Sequence, residues 1–270
     1  MENVQVLVAT MRQENFQKIE KMNIQTDAIF ANQANKFSIE TCNADDKNIR
    51  MITTATQGVG VNRNIGLLNA TGDILIIADD DMRYVDGYEQ IVREAFDNCS
   101  KADAIIFNIV SIGGAEYRRE NRKIKRVRFF NAFNYGAARI AVKRTALSRH
   151  NIFFNTNFGG GTKFSSGEDS LFLADMLKKK LKIYCYPKTI AIVDQTQSTW
   201  FCGYTKKYFY DKGVLFAAIS KRWAKLLALQ DLIRHKNYKK SGLSFIQAFR
   251  LMKAGIKGFI TLQEYKEEAY

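Results

Sequence analysis

QGVGVNRNIGLLNATGDILIIADDDMRY, residues 57–84, carries a turn, a helix and a strand in one run. Gly58 and Gly60 suit the turn. Val61, Ile65 and Leu68 then fall at i, i+4 and i+7, which predicts an amphipathic helix stopping near Gly72. Ile74–Ala78 (ILIIA) is apolar at every position. A strand with one wet face alternates apolar and polar residues, so continuous apolarity predicts a strand covered on both faces, as in a parallel α/β sheet. The strand runs into Asp79, Asp80 and Asp81.

Outward from this run, Val4–Ala9 (VQVLVA), Asp27–Ala31 (DAIFA) and Ile49–Thr53 read as strands, with Asn15–Met22 as a helix. On the C-terminal side, a helix is predicted over Tyr88–Phe96 and a strand over Ala104–Val110. Asn134–Val142 reads as a strand or strand pair. Asn157–Gly167 is a glycine-rich loop before a helix at Glu168–Lys180. Ile183–Tyr186 and Thr189–Val193 read as strands flanking Pro187, and beyond Trp200 the pattern is helical, aromatic and basic. This alternation predicts a doubly wound α/β core. Ligands of such sheets sit at the strands' carboxyl ends, where Thr10, Asn32, Gln33 and Asp79–Asp81 fall.

Three adjacent carboxylates repel one another unless a cation or solvent relieves them. If extended geometry persists past Ala78, Asp79 and Asp81 share a face. Such a pair suits magnesium or manganese, which bind through one or two carboxylates plus substrate phosphates. A solvated acidic turn is the competing reading. Glu168 and Asp169 pose a similar choice. Ser166 and Asp169 have capping-box spacing, and acids at a helix start complement its dipole. Alternatively, one carboxylate is a general base for an acceptor hydroxyl. Gly159, Gly160 and Gly161 would then form a close-approach loop beside the substrate.

The chain has 41 basic and 27 acidic residues, a net charge of +14, which implies a polyanionic partner or surface. Residues 200–270 hold 14 Lys/Arg against 5 Asp/Glu, and a second basic cluster is Arg118–Arg128. The tail reads either as a helical subdomain with a solvated basic face or as a surface that docks on anionic lipid. Four widely spaced cysteines without a CxxC pair point to a reducing compartment. The N-terminus lacks a basic leader, and no apolar run nears the roughly 20 residues of a spanning helix. A cytoplasmic location, with any membrane contact peripheral, is expected. His150 and His235 are isolated and lack zinc spacing.

Taken in order, the polar-ended second strand, the 57–84 run and GGGTKFSSGEDSLFLADMLKKKLKIYCYP resemble the GT-A glycosyltransferases of family 2, over roughly Val4–Trp200. The resemblance implies a Rossmann-like, mostly parallel mixed sheet flanked by helices. The domain would span 1–200, with a nucleotide-binding half (1–110) and an acceptor half (111–200), followed by a basic helical extension at 201–270. It implies inverting transfer of a sugar from a nucleotide-sugar, a UDP-sugar by expectation, to a glycan or lipid-linked acceptor in cell-surface polysaccharide synthesis. Mn2+ or Mg2+ is the implied cofactor.

By the same resemblance, Gly58, Arg63 and Asn64 lie beside the nucleotide, and Thr10, Asn32 and Gln33 line its site. Asp79 and Asp81 form the DxD metal site, with Asp79 nearer the ribose and Asp80 also at the donor. Asp169, paired with Glu168, is the base. The family's acid at the end of the second strand is Asn32 here, and its proline after the first strand is replaced by Thr10-Met11. A histidine often found after the last strand is replaced within VDQTQSTW, where Asp194 or Gln195 would substitute. A sugar-phosphate nucleotidyltransferase would share the sheet and the metal, but TMRQ (Thr10–Gln13) lacks its glycine-rich loop. A nucleic-acid-binding module would explain the charge but not the acidic triplet, so no nucleic-acid partner is expected.

Overall fold

The computed structural model describes residues 2–44, 46–113, 120–164, 166–194 and 203–261. In chain order the elements are β1 (Val4–Met11), α1 (Lys18–Lys21), β2 (Asp27–Gln33), β3 (Ser38–Ala44), β4 (Lys47–Thr54), α2 (Val59–Asn69), β5 (Ile74–Asp79), β6 (Met82–Tyr84) and α3 (Tyr88–Asn98). They continue with β7 (Ala104–Ile112), β8 (Lys125–Arg126), β9 (Ile140–Lys143), α4 (Arg144–His150), α5 (Glu168–Lys178) and β10 (Ile183–Asp194). Last come α6 (Lys206–Ile219), α7 (Ala224–His235) and α8 (Phe245–Thr261). The chain divides into two compact units, Met1–Lys163 with Glu168–Gln197, and Phe164–Gly167 with Ser198–Tyr270.

The first unit is a mixed α/β sheet in the order β3-β4-β2-β1-β5-β9-β7-β10-β6, with β8 beside β10. β1 runs parallel to β2 and β5, β2 to β4, and β7 to β10. β9 lies antiparallel between β5 and β7. The apolar run of β5 divides as the pleat requires. Ile74, Ile76 and Ala78 join Val6, Phe30 and the Tyr88 and Val92 of α3 in one core. Leu75 and Ile77 join Leu7, Ile29 and the Phe172 of α5 in the other.

Several elements differ from the sequence reading. Residues 134–142 are mostly not strand: Phe129–Asn134 and Ala137–Arg139 are 3-10 turns, and only β9 pairs. The two late strands are one, β10, which passes through Pro187 where its register with β7 shifts. A register irregularity is where a sheet tolerates a residue without an N–H. The expected helix at Asn15–Met22 shrinks to α1.

The largest difference is in α2. Its buried residues are Gly60, Asn62, Arg63 and Gly66, whereas Leu68 is 69% exposed. The helix turns its polar and glycine-bearing side inward. The glycines let the backbone come close: a Cβ on Gly66 would sit 3.5 Å from Leu7, and one on Gly60 only 2.5 Å from the Asn155 carbonyl oxygen.

In the second unit α6, α7 and α8 pack together. Gly213 and Gly255 bring α6 and α8 into backbone contact, since a Cβ on either would lie 2.0 Å from a carbonyl oxygen of the other helix. No helix among the described residues is long and apolar enough to cross a membrane.

Gly60→Ala is expected to lower unfolding free energy by roughly 1–3 kcal/mol, the usual range for overpacking. Urea denaturation monitored by circular dichroism checks this.

Candidate active site

The inward face of α2 delivers Arg63 into a nest of acids. Its Nη2 donates to Asp79 Oδ1 at 2.7 Å, and its Nη1 to Asp169 Oδ1 at 2.7 Å and to Glu168 Oε1 at 3.2 Å. The guanidinium carbon lies 5.2 Å from the centre of the Phe154 ring, which stacks on Phe172 at 4.0 Å. Asn64 is turned to the Phe154 segment. Its side chain clamps the Phe154 backbone, Nδ2 to the carbonyl oxygen at 2.9 Å and Oδ1 from the N–H at 2.8 Å. The Arg-Asn pair thus works as one device: Asn64 fixes the aromatic platform on which Arg63 rests.

Burial by itself would lower the pKa of Arg63. Asp79, Asp169 and Glu168 outweigh it and raise the pKa above its ordinary value, so the side chain is a permanent cation. Glu168 is pushed up to about 7 by burial and then by the charge of Asp169, with Arg63 opposing. Glu168 therefore holds a proton more readily than an ordinary carboxyl group. Gly159, at φ +104°, lies against this carboxyl group: a Cβ there would be 2.8 Å from Glu168 Oε2 and 2.5 Å from Val59 Cγ1. The Gly160 carbonyl accepts the Val59 N–H at 3.1 Å, and a Cβ on Gly161 would touch Gly58 at 3.5 Å. The close approach made by Gly159, Gly160 and Gly161 is thus to Glu168 and the start of α2.

Extended geometry stops at Asp79, the last residue of β5, so the expected alternation across the triplet is not what orients it. Asp80 turns back to the β1 side, accepting from Thr10 Oγ1 at 2.5 Å and pairing with Lys18 Nζ at 3.2 Å. Asp81 is exposed, and its carbonyl oxygen accepts the Asp194 N–H at 3.4 Å. That contact continues the register in which Met82 of β6 faces Val193 of β10, so Asp81, the turn residue before β6, stands opposite Asp194 at the end of β10. Gln195 lies outside the described residues.

Asp79, whose side chain is 42% exposed, and the exposed Asp81 supply hard oxygen donors at the carboxyl edge of β5. Among the described residues no group of three or more His, Cys, Asp or Glu is gathered into a closed metal site. An open pair of this kind fits a magnesium- or manganese-like ion whose remaining positions are filled by substrate phosphates and water.

A cleft of about 790 Å³ opens at the carboxyl ends of β1, β2 and β4, lined by Met11, Arg12, Gln13, Gln33, Asn35 and Thr56 among others. Gln33 is therefore on its wall. Asn32 is not: it is fully buried, with Oδ1 accepting the Gln13 N–H and Nδ2 donating to the Gln13 carbonyl and Thr53 Oγ1. Its amide is spent on the protein, and it forms the floor that shapes the Gln13 loop. Thr10 is also buried, and its carbonyl oxygen is held by Asn62 Nδ2 at 2.9 Å.

The sequence reading missed Asn62, Lys18 and Gly136. A Cβ on Gly136 would lie 3.4 Å from Asp169 Oδ2, so this glycine keeps one side of that carboxylate open. No spacing rule links residues 136 and 169. Asn62 had a local signal, its place beside Arg63 on a helix whose Gly60 and Gly66 also turn inward, but periodicity assigned that face to solvent.

The mixed sheet with acids at its carboxyl edge is a frame suited to a nucleotide-sugar glycosyltransferase, and the family comparison assigns that class. A family model described as Glycosyl transferase family 2 matches residues 29–169, and the chain belongs to that family. No curated protein matches by sequence. Among solved structures, S. aureus TarS 1-349 in complex with UDP-GlcNAc is similar at TM-score 0.64 and 12% identity, over 98% of this chain and 93% of that one. Its complex with UDP gives 0.61 and 13% over the same shares. A further TarS structure gives 0.60 and 15% over 88% of this chain and 44% of that one. At these identities the likeness concerns the fold.

Arg63→Met leaves three carboxylates around a buried site with no cation. Breaking a buried pair in this way is expected to cost about 3–5 kcal/mol, read as a drop in the urea midpoint. Glu168 binds its proton more tightly folded than unfolded, so between its ordinary value and about 7 stability falls as pH rises. Thermal melts across acid pH up to about 7 should show this decline, and Glu168→Gln should flatten it.

Proposed function

We propose that this protein is a metal-dependent inverting glycosyltransferase that moves a sugar from a UDP-sugar to a glycan or lipid-linked acceptor in cell-surface polysaccharide synthesis. It would work in the cytoplasm at the inner face of the membrane. The observation that carries the reading is the Arg63 bridge. One guanidinium touches both Asp79 and Asp169, so the donor edge and the base lie within the span of a single sugar.

The cleft beside Gln33 and Gln13 takes the nucleoside. Asp79 and Asp81, with Asp194 opposite, are the residues that would hold Mn2+ or Mg2+ when it is bound. The ion, when bound, neutralises charge that develops on the departing diphosphate. Arg63 holds Asp169 Oδ1, and Oδ2 lies beside Gly136, which has no side chain to crowd an acceptor hydroxyl. Asp169 takes that hydroxyl's proton as its oxygen bonds to the anomeric carbon and the bond to the diphosphate oxygen breaks. Displacement from the opposite face inverts the anomeric carbon. Family membership supports the reaction class, and the UDP-GlcNAc bound to the similar TarS structure makes UDP-GlcNAc the first donor to assay.

A panel of UDP- and GDP-sugars with manganese should identify one donor by binding and slow hydrolysis, releasing a nucleoside diphosphate. Release of pyrophosphate would instead mark a nucleotidyltransferase. Asp169→Asn should lower kcat by about 10²–10⁴-fold with donor affinity little changed, the range for losing a general base. Asp81→Ala should weaken donor binding in manganese. Wild-type turnover by Asp169→Asn sinks the assignment.

A further inference from the structure

Between Lys221 and Thr261 the chain holds ten Lys or Arg and one acid, Asp231. That acid is no counterweight at the surface. Its side chain is 11% exposed and turned to Lys212 at 3.6 Å and His235 at 4.0 Å. Among the described residues, α7 and α8 therefore present an almost purely cationic exterior.

The exterior is patterned. On α8, Ile246, Arg250, Lys253, Lys257 and Ile260 are all exposed, at steps of four, three, four and three residues, a single stripe about 21 Å long at 1.5 Å per residue. The opposite side of α8, with Ala248, Leu251, Met252, Gly255 and Ile256, is buried. On α7 and its cap, Trp223, Leu226 and Ile233 are 39%, 45% and 57% exposed. At 100° per residue they fall within an arc of about 80°, with Arg222, Lys225 and Lys236 on one flank and Arg234 on the other. The Arg222 guanidinium lies 5.1 Å from the Trp223 ring centre, so cation and aromatic are presented together.

Charge alone would fit any polyanion, nucleic acid or a phosphate-rich glycan included. The apolar residues discriminate. A polyanion in water offers no apolar phase for Leu226 and Ile233, whereas a bilayer interface accepts aliphatic side chains and tryptophan between headgroups and takes lysine and arginine at the phosphates.

We propose that the outer face of α7 docks this protein on an anionic lipid bilayer, with Trp223, Leu226 and Ile233 entering the interface and the flanking cations meeting lipid phosphates. The exposed Arg250, Lys253 and Lys257 of α8 add to the unit's overall attraction to an anionic surface. The inference concerns the second unit and stands whether or not the transfer reaction proposed above is the right one.

The test is co-sedimentation of the full chain with vesicles of phosphatidylcholine, with and without phosphatidylglycerol, at low and high salt. Wild-type protein should bind the anionic vesicles and be released by salt. Lys221→Ser/Arg222→Ser/Lys225→Ser should reduce partitioning on the order of 100-fold, the effect of three cations near an anionic surface. Leu226→Asn/Ile233→Asn should weaken binding and make the remainder more salt-sensitive. All these side chains are exposed, so circular dichroism and melting points should match wild type; for a variant that fails this check, salt release of wild-type protein decides. Equal binding to neutral and anionic vesicles, or single-stranded DNA binding without vesicle binding, overturns the proposal.

Discussion

A guanidinium buried among three carboxylates is the constraint around which the first unit is arranged. Arg63 is 5% exposed, and its charge is tolerable there only because Asp79, Glu168 and Asp169 surround it. The carboxylates in turn come from two elements, the end of β5 and the start of α5. Without the cation they would repel one another in a poorly solvated site. A buried ion pair adds little net stability over an apolar replacement. What it adds here is geometry, since the hydrogen-bonding fork of arginine holds Asp79 and Asp169 in a defined relation.

That constraint explains features that look odd in isolation. An amphipathic helix normally buries its apolar stripe, yet α2 leaves Leu68 in water and buries Asn62 and Arg63. Glycine replaces bulk on that face, so the helix lies close enough to β1 and the 155–162 segment for Arg63 to reach the acids. The platform of Phe154 on Phe172 excludes water from one side of the guanidinium, and Gly159 presses on Glu168 from another. Desolvation then raises the proton affinity of Glu168, which leaves Asp169, more exposed at 26%, as the outward-facing acid of the pair.

The second unit follows a different logic. Its helices are held by backbone contact through Gly213 and Gly255, and its little-exposed acids are each paired to a lysine, Asp231 to Lys212 and Asp211 to Lys207. Its cations are therefore left at the surface, where they set what the protein meets. Most of the excess positive charge, 14 basic against 5 acidic residues over 200–270, lies apart in sequence from the acidic cluster around Arg63.

Local sequence determined the sheet's central strand, the position of the acidic triplet at its carboxyl end and the acidic start of α5, because continuous apolarity and strand-end chemistry are written in neighbouring residues. The same kind of pattern misjudged α2, since a period of 3.6 reports which residues are apolar and not which face a distant charge requires. Only the folded chain decided that Arg63 meets residues 105 and 106 positions away, that Asn32 is floor and not wall, and that β10 continues through Pro187. Those outcomes depend on pairing energies between segments far apart in sequence, and such energies leave no periodic trace in either partner.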